Sequence, residues 1–560
     1  GNNSSTNFSG VIQNGSGTLS LVKTGSGAFT LGGANTYTGG TTIKNGTLIG
    51  ASAAANAFGT GSITLGDTSG SNAASLLIST TGLNYANAIV LATGTSGTLT
   101  VGNTGTNIST TFSGGVTGSN NLTINSNATT GTITFATAAL NNAGTITNIG
   151  AGSGTTTISA AIGSNVTGII ENSTTSALIV SGGLTVNASG TTLTNSNSSG
   201  SSLLTLSGGV TGSGNLILKN NSAIANGITL STASVNNTGT ITNSGSGSGS
   251  SLISAAVGSN ITSIIANSAT SALNVTGGLT VNASGTTLTN SNTAALTLSG
   301  GVTGTGNLIL NNNSTTASGI TISTTAVNNT GTITNSGSGS GSSLISAAVG
   351  SNITSIIANS ATSALNVTGA LTVNSSGTTL TNSNTAALTL SGGVTGSGNL
   401  VLNNNSTTAN GITLSTASVN NAGTVTNSGS GTGSTLISAV IGTNVTGLTQ
   451  NSGTSKLVLA GVNLFTSATT TISAGTLQFS GSGALSASSA VTLANVAGTT
   501  LDLNGTSQTI GSLASAGSNG LVTSSVAGAV SLTTGGNNSS TNFSGVIQNG
   551  SGTLSLVKTG

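Results

Sequence analysis

The sequence predicts an all-β fold, an elongated right-handed parallel β-helix (β-solenoid) drawn out as a single continuous rod. Three observations predict it. Short alternating runs such as Leu19-Ser20-Leu21, Phe29-Thr30-Leu31 and Thr41-Thr42-Ile43 recur about every ten residues, bounded by Gly, Ser or Asn, as half-buried strands between tight corners do. Proline, which would interrupt backbone pairing, is absent from all 560 residues. The chain also repeats itself, which favours stacked units that contact only their neighbours over separate globular domains.

Residues 1–115 form the first segment. Its carrying phrases are Phe8-Ser9-Gly10-Val11-Ile12, Leu21-Val22-Lys23-Thr24-Gly25-Ser26-Gly27, Gly33-Ala34-Asn35-Thr36-Tyr37-Thr38-Gly39-Gly40-Thr41-Thr42 and the closing Asn45-Gly46-Thr47-Leu48. This stretch resembles the passenger-associated transport repeat, also called the autotransporter-associated β-strand repeat, of secreted bacterial autotransporter passengers. The resemblance implies a β-helix segment on a chain displayed outside the cell. The segment continues through Gly61-Ser62-Ile63-Thr64-Leu65-Gly66 and closes on Thr111-Phe112-Ser113-Gly114-Gly115, an echo of Phe8-Ser9-Gly10.

From Val116 to about residue 475 a larger unit takes over, four tandem copies of about 92 residues. Val-Thr-Gly opens them at Val116, Val210, Val302 and Val394, and Leu140-Asn141-Asn142, Val235-Asn236-Asn237, Val327-Asn328-Asn329 and Val419-Asn420-Asn421 mark one point in register. Each copy holds about nine strand candidates, among them Asn307-Leu308-Ile309-Leu310, Gly319-Ile320-Thr321-Ile322, Leu344-Ile345-Ser346, Leu371-Thr372-Val373 and Leu388-Thr389-Leu390. Three strands to a coil give roughly three to four coils per copy, right-handed as parallel crossovers are. At about 4.8 Å per coil, some 20 coils would reach on the order of 100 Å.

Residues 476–560 make the third segment, with Thr500-Leu501-Asp502-Leu503-Asn504-Gly505 and Gln508-Thr509-Ile510-Gly511-Ser512-Leu513, phrases that again resemble autotransporter passengers. Residues 536–560 repeat residues 1–25 letter for letter, so the sequence re-enters itself. It reads as one full period of a longer tandem array with the start of the next.

The residues set the physics of such a rod. Alternation sends Leu, Ile, Val and Ala into a narrow core and Thr, Ser and Asn outward. Gly39 and Gly40 are predicted corner residues, and Asn311, Asn312, Asn313, Asn403, Asn404 and Asn405 are predicted to turn the chain or to stack their amides coil over coil in ladders.

Little chemistry is available. Five Lys, three acidic residues and no Arg, His or Cys leave no cationic field for nucleic acid, no disulfide and no thiol. No apolar run approaches the roughly 20 residues of a membrane helix. Catalysis on a β-helix needs clustered carboxylates or bases, and Asp67, Glu171 and Asp502 lie far apart in sequence. Glu171 falls opposite Ala266, Ala358 and Gln450 in the other copies, Lys219 opposite Asn125, Asn311 and Asn403, and Lys456 opposite Ala177, Ala272 and Ala364, so all three are expected at solvated outward positions. Lys23, its twin Lys558 and Lys44 are expected to keep an edge soluble. Tyr37 and Phe29 are assigned to packing rather than to a glycan platform. The Asp of calcium-binding Gly-Gly-x-Gly-x-Asp repeats is missing, and the many Asn-x-Ser/Thr triplets follow from composition. No catalytic, cofactor or metal site is predicted, and no enzyme.

The sequence therefore points to a structural fibre or stalk on a bacterial surface. The alternatives are an autotransporter adhesin stalk whose binding tip lies outside these residues, and an ice-binding solenoid, for which the Thr-x-Thr spacing is irregular. The partners expected are further copies of the same array, joined in tandem or bundled laterally, and a host or neighbouring-cell surface, with no nucleic acid and no membrane span.

Overall fold

A computed structural model of the chain describes residues 3–197, 200–465 and 469–560. It forms two compact units, residues 1–278 and 279–560. Each is a β-solenoid of short strands, all paired in parallel, with no helix among the described residues. The division between Gly278 and Leu279 falls inside the second 92-residue copy rather than at the segment ends read from the sequence.

The third copy, within the second unit, shows how one coil is built. Leu308–Asn312 pairs with Gly331–Asn335, that with Ile353–Ala358, and that with Thr378–Asn382, forming a long face. A second face stacks Ile320–Ile322, Ser343–Ile345, Leu365–Val367 and Leu388–Leu390. The third is reduced to single bridges from Val302 to Val327, Val349 and Leu371. Three faces and four coils therefore fill the copy, each coil returning after 22 to 25 residues, as its cross-coil hydrogen bonds record. The five strand candidates read from this copy all lie on one of these three faces.

Inward residues stack like on like. On the second face of the first unit, Phe112 lies over Phe135, then Ile158, Val180 and Leu206 follow in register. Phe58, Tyr85, Phe112 and Phe135 form an aromatic column with ring centroids 5.4, 6.1 and 5.4 Å apart. These spacings lie in the favourable range for offset or tilted rings. In the second unit Leu298, Ile322, Ile345, Val367 and Leu390 form the equivalent aliphatic column.

Alternation fails at one place in three of the four copies. The ladder between Gly331–Asn335 and Ile353–Ala358 shifts register between Gly331 and Thr332, and the same shift occurs at Gly144/Thr145 and Gly239/Thr240. An extra residue there reverses the in-out phase of the rest of the strand. In Val166–Glu171 the inward positions are Val166, Gly168, Ile169 and Glu171. Glu171 is consequently fully buried, as are Ala266 and Ala358, while Gln450 is 1% exposed. This corrects the outward assignment of Glu171: simple period-two counting from Val166 misses the inserted residue. Lys219 and Lys456 do face solvent.

The long face carries outward Thr pairs on alternate coils. Thr332 and Thr334, then Thr379 and Thr381, are separated by a coil bearing Ser355 and Ile357. No unbroken Thr array runs over these coils.

The paired Asn residues that mark the copies sit at the third face. Asn328 Oδ1 accepts from the Asn352 amide one coil later at 2.9 Å, while Asn329 Nδ2 donates to the Gly306 carbonyl one coil earlier at 2.8 Å. The other copies repeat this, with Asn141/Asn142, Asn236/Asn237 and Asn420/Asn421. Asn329→Ala would leave a carbonyl unpaired beside a fully buried position. The expected cost is about 1–3 kcal/mol of local stability, seen as faster hydrogen exchange in Gly331–Asn335 with little change in the first unit.

Candidate functional site

The carrying phrase of the first segment folds as one coil and its corners. Leu21–Lys23 pairs with Thr41–Ile43, and Ala28–Leu31 with Gly46–Gly50. Gly40 turns the corner at φ 83°, in the left-handed region open to glycine, and a Cβ there would lie 2.9 Å from the Ser62 carbonyl oxygen. Gly39 is required by space instead, because a Cβ would lie 2.6 Å from the Leu19 carbonyl oxygen. Tyr37 is fully buried; its hydroxyl lies 2.6 Å from Thr41 Oγ1, which donates to the Phe58 carbonyl at 3.0 Å. Burial raises its pKa, against the opposing pull of Thr41. Tyr37 thus packs, as read from the sequence, and Phe29 is half-buried.

Lys23 departs from its expected role. It is 8% exposed, in register with Ile43, and Nζ donates to the carbonyls of Thr24, Gly25 and Asn45 at 3.1, 2.7 and 3.0 Å. Burial lowers the pKa of its ammonium. Instead of solubilising an edge, the side chain folds over a corner and caps carbonyls that the turn leaves unpaired. The concavity beside it, about 300 Å³, is lined by residues including Asn3, Thr6, Gly27 and Phe29.

The six predicted Asn residues divide by position. Asn312 and Asn404 point inward and are fully buried, stacked on Asn290 and Asn382. Their amides do not bond one another. Asn312 Nδ2 donates to the Gly341 and Ser342 carbonyls at 3.0 and 2.8 Å, and Asn404 Nδ2 to the Ser434 carbonyl at 2.8 Å. Oδ1 of each accepts from the amide two residues on, Ser314 or Ser406. Asn313 and Asn405 each accept from the amide and hydroxyl of a serine one coil later, Ser338 and Ser430. Asn311 and Asn403 lie outward at half-buried positions on the long face. None of the six has positive φ. The amide ladder is therefore replaced by amide-to-carbonyl bonding, because at each corner the backbone oxygens are the acceptors left unpaired.

Serines complete the corners, a role the sequence reading missed. Ser268 Oγ accepts from the Thr270 and Ser271 amides and donates to the Gly245 carbonyl at 2.5 Å, with Ser173, Ser360 and Ser452 repeating the arrangement. Their fixed place in every copy is the signal that could have revealed them.

The acidic residues remain in separate surroundings. Asp67 accepts from the Thr68 amide and meets Lys44 at 3.2 Å; the amide first, then Lys44, lowers its pKa. Asp502 is buried and accepts from Gln478 Nε2, the Asn504 and Ser525 amides and Ser525 Oγ. Glu171 accepts from Asn148 Nδ2 at 2.9 Å and from the Ser173 amide at 2.6 Å. Burial pushes its carboxyl up to about 8, while the bonds from Asn148, Ser173 and Leu178 pull the other way. Gln450 stands at the same position in the fourth copy and accepts from Asn427 Nδ2 at 2.7 Å, so the neutral acid occupies a site built for an amide. No group of three or more metal-capable side chains occurs among the described residues, and no helix among them is long and apolar enough to cross a membrane.

With three faces and glycine corners, the fold and its repeats fit the passenger part of an autotransporter. The passenger-associated-transport-repeat family model matches residues 21–49 and 452–479. No curated protein and no solved structure matches the chain. The chain carries these repeats on a β-solenoid, a class that implies a secreted or cell-surface protein.

The second match was not read from the sequence, and the structure shows what the two share. Thr41-Thr42-Ile43 and Gly46-Thr47-Leu48 correspond to Thr470-Thr471-Ile472 and Gly475-Thr476-Leu477. In both, the first Thr, the Ile and the Leu are buried and the Gly has positive φ, 72° at Gly46 and 63° at Gly475. A Cβ at Gly46 would approach the carbonyls of Gly25, Ser26 and Gly27 within 2.6 to 2.7 Å.

Two expectations follow from these sites. Gly46→Ala adds left-handed strain and a backbone collision, so the coil holding Gly46–Gly50 should lose roughly 1–3 kcal/mol, read as loss of exchange protection confined to that coil. For Glu171, a carboxyl raised in the fold takes up protons on folding. Its destabilisation is therefore absent below about pH 4.5, grows as pH rises and is complete above about pH 8. Protection of Val166–Glu171 should fall across that window by roughly 3–6 kcal/mol, and Glu171→Gln, copying Gln450, should flatten the dependence.

Proposed function

We propose that this chain is a stalk: a structural, non-enzymatic fibre segment of an autotransporter passenger, working by mechanical reach outside a bacterial cell. The observation that supports this best is the uniform use of the coil. The third copy spends all four of its coils on the same three faces, with Asn side chains bonding from coil to coil at the corners and no concentration of titratable groups. Stability in such an array is shared among many small equal steps, which suits an element that must transmit load along its axis. The two transport repeats support secretion as the route outward. Partners in this reading are further copies of the same array and a host or neighbouring-cell surface.

An adhesin form of the reading adds a recognition tip beyond these residues and leaves the stalk unchanged. The test is negative-stain electron microscopy of the purified 560-residue chain. Thin rods of even width are the expected result, and globular particles would overturn the proposal.

A further inference from the structure

The 25-residue sequence present twice, as residues 1–25 and 536–560, is held by different neighbours in its two places. Its three strand positions can be compared one by one. In the first place Thr6–Phe8 pairs with Phe29–Leu31, the Ile12 carbonyl accepts from the Thr36 amide at 3.0 Å, and Leu21–Lys23 pairs with Thr41–Ile43. In the second, the Asn542 carbonyl, equivalent to Asn7, accepts from the Ser515 amide at 3.1 Å, Val546–Ile547 pairs with Leu521 and Val522, and Leu556–Lys558 pairs with Leu532–Thr534.

The neighbours lie after the segment in one case and before it in the other. Parallel strands in a stack have one edge toward the preceding coil and one toward the following coil. The same strands therefore use opposite edges in the two places, and both edges fit coils of this chain. The second place leaves an inward apolar side chain uncovered: Leu556 is 51% exposed although its partner in register, Leu532, is fully buried. Leu21, the equivalent of Leu556, is only half-exposed where Thr41–Ile43 covers it.

Lys23 and Lys558 report the same difference. Both ammonium groups donate to the two carbonyls that come after them in the chain, Thr24 and Gly25 or Thr559 and Gly560. Only Lys23 has the third acceptor, Asn45 of the following coil, and only Lys23 is buried.

We infer that this 25-residue coil is a two-sided joint whose partner is a second copy of this sequence: it takes the 511–534 coil of one copy on one edge and the 26–50 coil of the next on the other. The joined copies share a single 25-residue coil. All three faces pass through it in register, and the exposed Leu556 becomes covered as Leu21 is by Thr41–Ile43. This deepens the stalk reading and rests on it only for its purpose, because the fit of the two edges is a property of the coil itself.

The test compares the 560-residue chain with one in which residues 26–560 are repeated directly after Gly560. The chain has no cysteine, so Leu556→Cys gives a single thiol at the joint. Its reaction with a maleimide is expected to slow at least about tenfold in the extended chain, as an edge position becomes an inner one. Reductive methylation of Lys558 in the unsubstituted chains should slow in parallel, and it serves alone if the cysteine variant does not fold. Equal rates at both positions in the two chains would overturn the joint. Rods in micrographs with unchanged rates would sink the joint and leave the stalk reading standing. Slowed rates in particles that are not rods would do the reverse.

Discussion

Each coil must return its backbone to the register of the coil beneath it, after as few as 19 residues between Ala28 and Thr47 and as many as 28 between Gly46 and Ala74. That single requirement governs the rest of the structure. Parallel strands this short hold one another weakly, so a corner that mis-set one strand would turn Leu310 or Ile322 outward and Ile309 or Thr321 inward. The corners, more than the strands, specify the fold. Glycine supplies the backbone where a side chain has no room, as at Gly39, or where φ is positive, as at Gly40 and Gly46.

Corners expose carbonyls that no neighbouring strand can pair, and in a narrow coil many of them are buried. Asn312, Asn329, Asn404 and Ser268 meet this demand with neutral donors that reach from one coil to another. Neutrality matters here. An ammonium or carboxylate in the same position would bring a desolvation cost that an amide avoids. The one cation drawn into such a role, Lys23, sits at a corner with three carbonyl acceptors. The one fully buried acid, Glu171, stands where another copy has Gln450. A chain poor in charge is thus consistent with a core whose polar needs are met by amides and hydroxyls.

Fold class was legible because period-two alternation and glycine spacing act locally, and the strands at Leu308, Ile320, Leu344, Leu371 and Leu388 all form. The buried acid was not legible. Its orientation depends on a register shift between Gly144 and Thr145, a relation between two strands that no single strand displays. The partners of the inward Asn312 and Asn404 lie a coil away and are backbone atoms, which side-chain identity does not encode. The transport repeat at 452–479 escaped notice for a related reason. It shares with 21–49 a buried Thr, Ile and Leu around a left-handed glycine, and little of the Tyr37 phrase that made the first one visible.

The duplicated stretch shows the coil behaving as a unit. A coil is the smallest piece of a solenoid with two complete edges. Identity of the coil preserves both edges while leaving the neighbouring coils free to differ. The neighbours do differ: Thr41–Ile43 lies against Leu21–Lys23, and Leu532–Thr534 against Leu556–Lys558. Backbone pairing is indifferent to the change, since the ladder uses groups common to every residue. The inward column is the part that must match, where Leu532 meets Leu556 on one side and Thr41 meets Leu21 on the other. Identity and pairing agree on one point: the coil is the level at which register is set, and one coil sequence can serve two different neighbours.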